Sequence, residues 1–354
     1  MTDLRHLEGL GTLVLLPQPR TIESLPGAVD LTDPALQLIA ITGHDQALFT
    51  SERLQTALAA IGVHWQVVGD SAVLPLSQIG VRLRLLDVGE DRKSSITSDK
   101  SAYQDESKRA RSDQVYTLIV DPAAQPPIII EGRSAAALWY GVCTLRQILA
   151  QQPSGQPLPA LRIIDQPDFG RRGVMLDISR DKVPTMATLY ELIDRLADWK
   201  INEVQLYMEH TFAYRKHPIV WKDASPITAA EIMVLDRYCR ERFIDLVPNQ
   251  NSFGHMHRWL MHDEYRDLAE FPDGFDWPIF LTRRPFSVAA NDPRSMALIA
   301  DLYAELLPNF SSRYFNIGCD ETFDLGRGRS KAEVEARGAG RVYLDYLRKA
   351  AALA

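Results

Sequence analysis

Two acidic residues stand side by side after an apolar run, in Arg313-Tyr314-Phe315-Asn316-Ile317-Gly318-Cys319-Asp320-Glu321-Thr322. Successive side chains on a strand point to opposite faces, so mid-strand neighbours cannot share one site. At a strand's last residue the chain turns away, and both carboxylates then lean over the same end. There they admit three readings: a general acid/base pair, ligands for a metal, or a solvated acidic turn. Gly318 and Cys319 leave room for something to approach closely. Three more polar clusters follow apolar runs: Arg180 with Asp181; Glu209 with His210; and Asn249, Asn251, His255 and His257. Five of the eight histidines fall between His210 and His262, which concentrates titratable groups in one stretch. Arg180 suits the hydroxyls of a polar ligand, or an ion pair with Asp177 or Asp181. His255-Met256-His257 has the one-apart spacing of some zinc sites. Gly254 and the helix-like Arg258-Trp259-Leu260 instead predict a turn into a helix, where the two imidazoles diverge. Glu209, at a strand end, reads more readily as solvated than as functional. No G-x-S-x-G motif or phosphate-cradling glycine loop is present, and Cys319 reads as a small packing residue.

The elements that must carry these clusters repeat from Arg172 onward. Gly173 to Ile178 reads as a strand before a helix from Met186 to Lys200. Glu203 to Met208 is the next strand, and Thr228 with Glu231 forms a capping box for a helix from Ala229 to Phe243. Ile244 to Val247 is the third strand. A long excursion follows, then a helix from Pro293 to Leu307 with Asp292 as N-cap. Tyr314 to Ile317 is the fourth strand, and Ser330 with Glu333 is a second capping box before a final helix. Strand–helix alternation predicts parallel strands with right-handed crossovers, and all four polar clusters then fall at the carboxyl ends. That is where (β/α) enzymes keep their chemistry. A (β/α)₈ barrel needs eight such units, whereas four fit between Arg172 and Ala354.

The first half reads as a small α+β domain. It has a short strand at Leu13 to Leu16, a helix from Ser51 to Ile61 ended by Gly62, and strands at Val81–Leu85, Val115–Val120 and Ile128–Glu131. A helix from Ala135 to Ala150 buries Leu138, Val142, Leu145 and Leu149. The polar stretch from Gly89 to Asp113 reads as an exposed loop. A Pro/Gly/Gln-rich linker spans Gln151 to Pro159, and Leu161 to Ile164 reads as a last strand. Division into residues 1–165 and 166–354 follows, since 354 residues exceed one ordinary domain. The composition, 46% hydrophobic and 24% charged, is that of a globular protein. A net charge of -7 argues against nucleic acid or anionic membrane as main partner. Three scattered cysteines, and a start without a basic, apolar leader, lead to the expectation of a cytoplasmic protein.

Arg172-Gly173-Val174-Met175-Leu176-Asp177-Ile178-Ser179-Arg180 resembles the opening strand of glycoside hydrolase family 20, the β-N-acetylhexosaminidases. Phe212-Ala213-Tyr214, Phe253-Gly254-His255 and Asn316-Ile317-Gly318-Cys319-Asp320-Glu321 follow in the family's order. Gly132-Arg133-Ser134-Ala135-Ala136 and Tyr140-Gly141-Val142-Cys143-Thr144-Leu145 resemble the α+β domain before its barrel. The resemblance implies a TIM-type (β/α) barrel of which the first four units are present. It implies removal of terminal β-linked N-acetylhexosamine (GlcNAc or GalNAc) from a glycan or glycoconjugate, with no cofactor and no metal. Asp320 is then expected to orient the substrate's 2-acetamido group, and Glu321 to act as acid and base. Arg180 is expected to hold sugar hydroxyls and His255 to back Glu321, with Glu209 behind it and Asn251 among the substrate-binding residues. The family usually has His at the place of Asn316, Gly at Cys319, Glu at Asn249, Asp at Asn251 and Pro at Phe253, so a divergent branch is implied. Pocket-wall residues contributed by strands five to eight in the family have no counterpart here. Weak or absent turnover by these 354 residues alone is therefore expected, as is a second barrel half or a homo-oligomer as partner. A non-catalytic sugar-binding module and a metal-dependent hydrolase using His255, His257, Asp320 and Glu321 are the rival readings.

Overall fold

A computed structural model describes residues 13–42, 45–70, 74–86, 111–153, 155–274 and 283–354. The chain divides into two compact units, the first holding residues up to Arg172 with Asp194–Asn202 and Glu241–Phe243, the second holding the rest. Most of the expected loop from Gly89 to Asp113 lies outside the described residues.

The first unit is a mixed seven-stranded sheet in the order β1-β7-β5-β6-β4-β2-β3. Its strands are β1 (Thr21–Val29), β2 (Leu38–Ile41), β3 (Gln66–Gly69), β4 (Ile79–Leu85), β5 (Tyr116–Val120), β6 (Ile128–Gly132) and β7 (Leu158–Asp165). Helix α1 (Asp45–Ala59) follows β2, and α2 (Ala135–Gln151) follows β6. Alternation sets which face is buried: Val81 and Leu83 on β4 are fully enclosed while Arg84 is exposed. Helix α2 starts where the Ser134 hydroxyl accepts the Ala137 N–H at 3.1 Å. Its Leu138, Val142, Leu145 and Leu149 are buried, as the spacing requires.

Two expectations for this unit fail. Residues Leu13 to Leu16 form no strand. Gln151 and Gln147 on α2 bond the main chain of Val14 and Leu16 in both directions, at 2.7–2.9 Å, and so take the place of a sheet neighbour. The linker is also shorter than expected, because β7 already begins at Leu158 and pairs with both β1 and β5. One ion pair is enclosed here. Lys200 Nζ lies 3.1 Å from Asp165 and donates to the Tyr116 hydroxyl at 2.9 Å, and Tyr116 donates to Asp165 at 3.0 Å.

The second unit contains a parallel sheet ordered β10-β9-β8, from β8 (Gly173–Asp177), β9 (Glu203–Tyr207) and β10 (Asp245–Val247). Helix α3 (Met186–Asp198) links β8 to β9, its last residues belonging to the first unit. Helices α4 (Pro218–Trp221) and α5 (Ala229–Glu241) link β9 to β10. The capping box forms at α5: Thr228 N–H donates to the Glu231 carboxylate at 2.8 Å and Glu231 N–H to the Thr228 hydroxyl at 3.3 Å. After β10 come the short helices α6 (His257–Leu260) and α7 (Asp263–Arg266), then α8 (Pro293–Leu306), α9 (Lys331–Arg337) and α10 (Ala339–Ala351). Asp292 caps α8 by accepting the Arg294 N–H at 2.9 Å. Parallel strands joined by helices here, with the mixed sheet before them, make the chain α/β. Among the described residues no helix is long and apolar enough to cross a membrane.

Three expectations fail here. Tyr314 to Ile317 makes no continuous strand, only a parallel bridge from Asn316 to Asn249. The Asn316 side chain competes with the ladder: its Oδ1 accepts the Gly318 N–H at 3.0 Å, and its Nδ2 donates to Gln205 Oε1 at 2.9 Å. Gly318 then bends the chain with φ 47°. Ser330 and Glu333 form no capping box, because the Ser330 hydroxyl donates to the buried Glu270 at 2.7 Å. The final helix is two helices, divided at Gly338, whose φ is 84°.

Candidate active site

All four polar clusters lie in the second unit, after β8, β9, β10 and the Asn316 bridge. Three of their loops carry a non-glycine residue in the left-handed region: Asp181 (φ 61°), His255 (φ 57°) and Glu321 (φ 52°). Such residues persist only where the surroundings enforce them, and they gather at functional sites. The bend at Glu321 lets adjacent carboxylates reach one partner. His255 Nε2 is 3.2 Å from Glu321 Oε2 and 3.8 Å from Asp320 Oδ2. Both acidic side chains are more than half exposed, so the carboxylates are open to a ligand.

Behind His255 lies Glu209, with a side chain 2% exposed. His255 Nδ1 is 3.5 Å from Glu209 Oε1, so one imidazole spans the open acids and the buried one. Tyr207 donates to the same oxygen at 3.0 Å, and Arg180 Nη2 lies 3.5 Å from it. Arg180 also pairs with Asp177 and stacks over the Tyr207 ring, 4.8 Å from its centre. The Glu209 N–H donates to the Ser179 hydroxyl at 2.8 Å. Its carbonyl accepts from the Trp259 indole at 2.7 Å and from Gln250 at 3.1 Å. Burial pushes the Glu209 carboxyl up to about 7, and pushes His255 down.

Tight loop contact makes this geometry possible. A side chain at Gly254 would strike the Asp320 carbonyl, and one at Gly318 would lie 2.7 Å from Asn251 Oδ1. What comes close to Gly318 is therefore the neighbouring loop. Tyr343 on α10 donates to the Cys319 carbonyl at 3.0 Å, and Phe253 stacks on Tyr346, 3.8 Å between ring centres. Cys319 is buried, which pushes its thiol up to about 12 and leaves it a packing residue.

The structure thus gathers Asp320, Glu321, His255, Glu209 and Arg180. Asn251 does not join them. Its side chain is fully buried and its Nδ2 donates to the Met208 carbonyl at 3.1 Å, bracing the loops from below. Glu209 is enclosed, where a solvated strand end was expected. The two histidines do not diverge: His257 Nδ1 is 3.8 Å from Glu209 Oε2, opposite His255. Among the described residues no group of three or more His, Cys, Asp or Glu is arranged to hold a metal ion. Sequence reasoning missed Tyr207, the last residue of β9, two residues before Glu209. It also missed Ser179, Trp259 and Tyr343, whose partners are distant in sequence.

Two family models match nearly the whole chain. Residues 169–337 match the glycosyl hydrolase family 20 catalytic domain, and residues 12–166 match domain 2 of the same family. A beta-hexosaminidase of Porphyromonas gingivalis is 28% identical over 217 residues, covering 55% of this chain and 28% of its own length. A beta-N-acetylhexosaminidase of Cellulomonas fimi is 28% identical over 233 residues, covering 60% of this chain and 45% of its own. The chain spans less than half the length of these curated relatives. Among solved structures, a Flavobacterium johnsoniae chitobiase superposes with a TM-score of 0.74 at 21% identity, over 96% of this chain and 50% of its own. A Streptomyces plicatus N-acetyl-beta-hexosaminidase in complex with thio-NAglucal gives 0.67 at 22%, over 94% and 64%. The chain belongs to glycoside hydrolase family 20.

Proposed function

We propose that this chain carries the acid/base half of a β-N-acetylhexosaminidase. Residues 1–165 are the α+β domain of hexosaminidase type, and residues 166–354 the first four units of a (β/α) barrel. The supporting observation is the placement of His255, with Nε2 facing Asp320 and Glu321 and Nδ1 facing buried Glu209.

In this reading the substrate's acetamido carbonyl oxygen attacks the anomeric carbon while the glycosidic C–O bond breaks. Glu321 gives its proton to the departing oxygen, and Asp320 offsets the positive charge that spreads over the oxazolinium ring. Water then attacks the anomeric carbon from the vacated side, Glu321 takes its proton, and the ring reopens with configuration retained. Adjacent acids suit this scheme because only one of them handles protons. Arg180, exposed and held by Asp177 and Tyr207, offers its remaining donors to sugar hydroxyls. The relatives' names favour an enzyme over a non-catalytic sugar-binding module.

The test is release of nitrophenol from a chromogenic N-acetyl-β-glucosaminide. A weak rate is expected from the chain, falling at least about 100-fold on Glu321→Gln as for loss of a general acid. Equal rates for the two proteins contradict the assignment.

A further inference from the structure

His257 has no part in the chemistry just described, yet it faces the group on which that chemistry leans. Glu209 presents one oxygen to His255, Tyr207 and Arg180, and the other to His257 Nδ1 at 3.8 Å. The four groups make a continuous line, Glu321 to His255 to Glu209 to His257, entered and left through different atoms at each middle member. We propose that His257 is a positioning residue for the acid/base site, its Nδ1–H directed at Glu209 Oε2 so that this carboxylate stays charged and keeps Oε1 toward His255. This rests on the reading of Glu321 as the acid.

The surroundings decide what kind of donor His257 is. Glu209 is faced by Asp177 and Arg180 from the end of β8, by Tyr207 on its own strand, and by His255, His257 and Arg258 from the loop after β10. His257 is itself faced by Arg258, Arg284, His210 and His255, all cationic or able to become so. Burial and these neighbours push it down to about 4. It is thus a neutral imidazole at ordinary pH, placing an N–H dipole 3.8 Å from Glu209 Oε2, beyond direct hydrogen-bond distance, without adding charge. Removing that dipole favours the protonated form of Glu209. His255 then loses an anionic neighbour and Glu321 loses cationic support. His257→Phe should therefore lower the titration midpoint of His255, while His257→Gln, which keeps an amide donor, should leave it near the original.

Side-chain nitrogen NMR of the histidines in the whole chain tests this without turnover, so its failure is distinguishable from failure of the proposed activity. The expected result is an Nδ1–H tautomer for His257 in the unaltered protein. In His257→Phe the His255 midpoint should fall by about half to one pH unit, with recovery in His257→Gln. An Nε2–H tautomer overturns the proposal, and that reading needs no variant. So does an unchanged His255 midpoint in folded His257→Phe, or an equal shift in both variants.

Discussion

Among the places where the described residues enclose charge, two do so in contrasting ways. In the first unit, Lys200, Asp165 and Tyr116 form a closed set: one cation, one anion and one hydroxyl, all within 3.1 Å. Burial lowers Lys200 and raises Tyr116, but each partner's needs are met locally. In the second unit, Glu209 has one short bond to Tyr207, with the Arg180 guanidinium and the His255 and His257 imidazoles at 3.5–3.8 Å, and is connected through His255 to exposed acids. A saturated buried pair holds a fold together. A partly compensated one, with a path to open carboxylates, is equipped to respond to a ligand. Burial alone does not mark a site; incomplete compensation in contact with an open face does.

Single substitutions in the saturated cluster should have the largest effect on folding. Lys200→Met or Asp165→Asn leaves its partner buried and unpaired, and each should cost about 3–5 kcal/mol in denaturant unfolding. Replacing both together should cost clearly less than the sum, because no orphaned charge remains.

The open cluster should behave in the opposite sense. Glu209 has a folded value of about 7, above the range of an unfolded glutamate. Its contribution is therefore fully present below about pH 4.3 and lost as pH rises through 7. His257 and His210 are pushed down to about 4, so their contributions hold at neutral pH and are lost as pH falls. The informative quantity is thus the stability of the unaltered protein minus that of Glu209→Gln. It should fall by on the order of 2–3 kcal/mol between pH 4 and pH 8. A flat difference would remove the contrast between the clusters.

Gly254→Ala probes the packing that brings the loops together. The added methyl meets the Asp320 carbonyl, so a cost of about 1–3 kcal/mol is expected from overpacking. His255 should also move away from Glu321, visible as changed His255 resonances, whereas Gly340→Ala, with open space around it, should change neither.

Much of this was legible in the sequence. Alternation and capping residues located most strands and helices of both units, and the placement of clusters after successive strands brought out Asp320, Glu321, His255 and Arg180. What was not legible depends on partners far along the chain. The Gln147 and Gln151 side chains take over the backbone of Val14 and Leu16. Glu270 draws the Ser330 hydroxyl from a helix start 60 residues away. Asn316 carries an amide that competes with its own strand. The burial of Glu209 was hidden for the same reason: its enclosure comes from Trp259, Gln250 and Ser179, which no local pattern ties to it. Left-handed backbone at Glu321 carries no residue-type signature, and the enrichment of histidine in that region does not single out His255 among eight histidines.

The central claim is that Asp320, Glu321 and His255 together receive a 2-acetamido sugar. Titration of the chain with a thiazoline analogue of N-acetylglucosamine, a stable mimic of the oxazolinium ring, followed at the His255 imidazole, tests it most directly. The account predicts that His255 shifts on binding, and that Asp320→Asn weakens binding about tenfold or more, through loss of a charged partner. Binding that leaves His255 unmoved, equal affinity in Asp320→Asn, or no binding at all would contradict it.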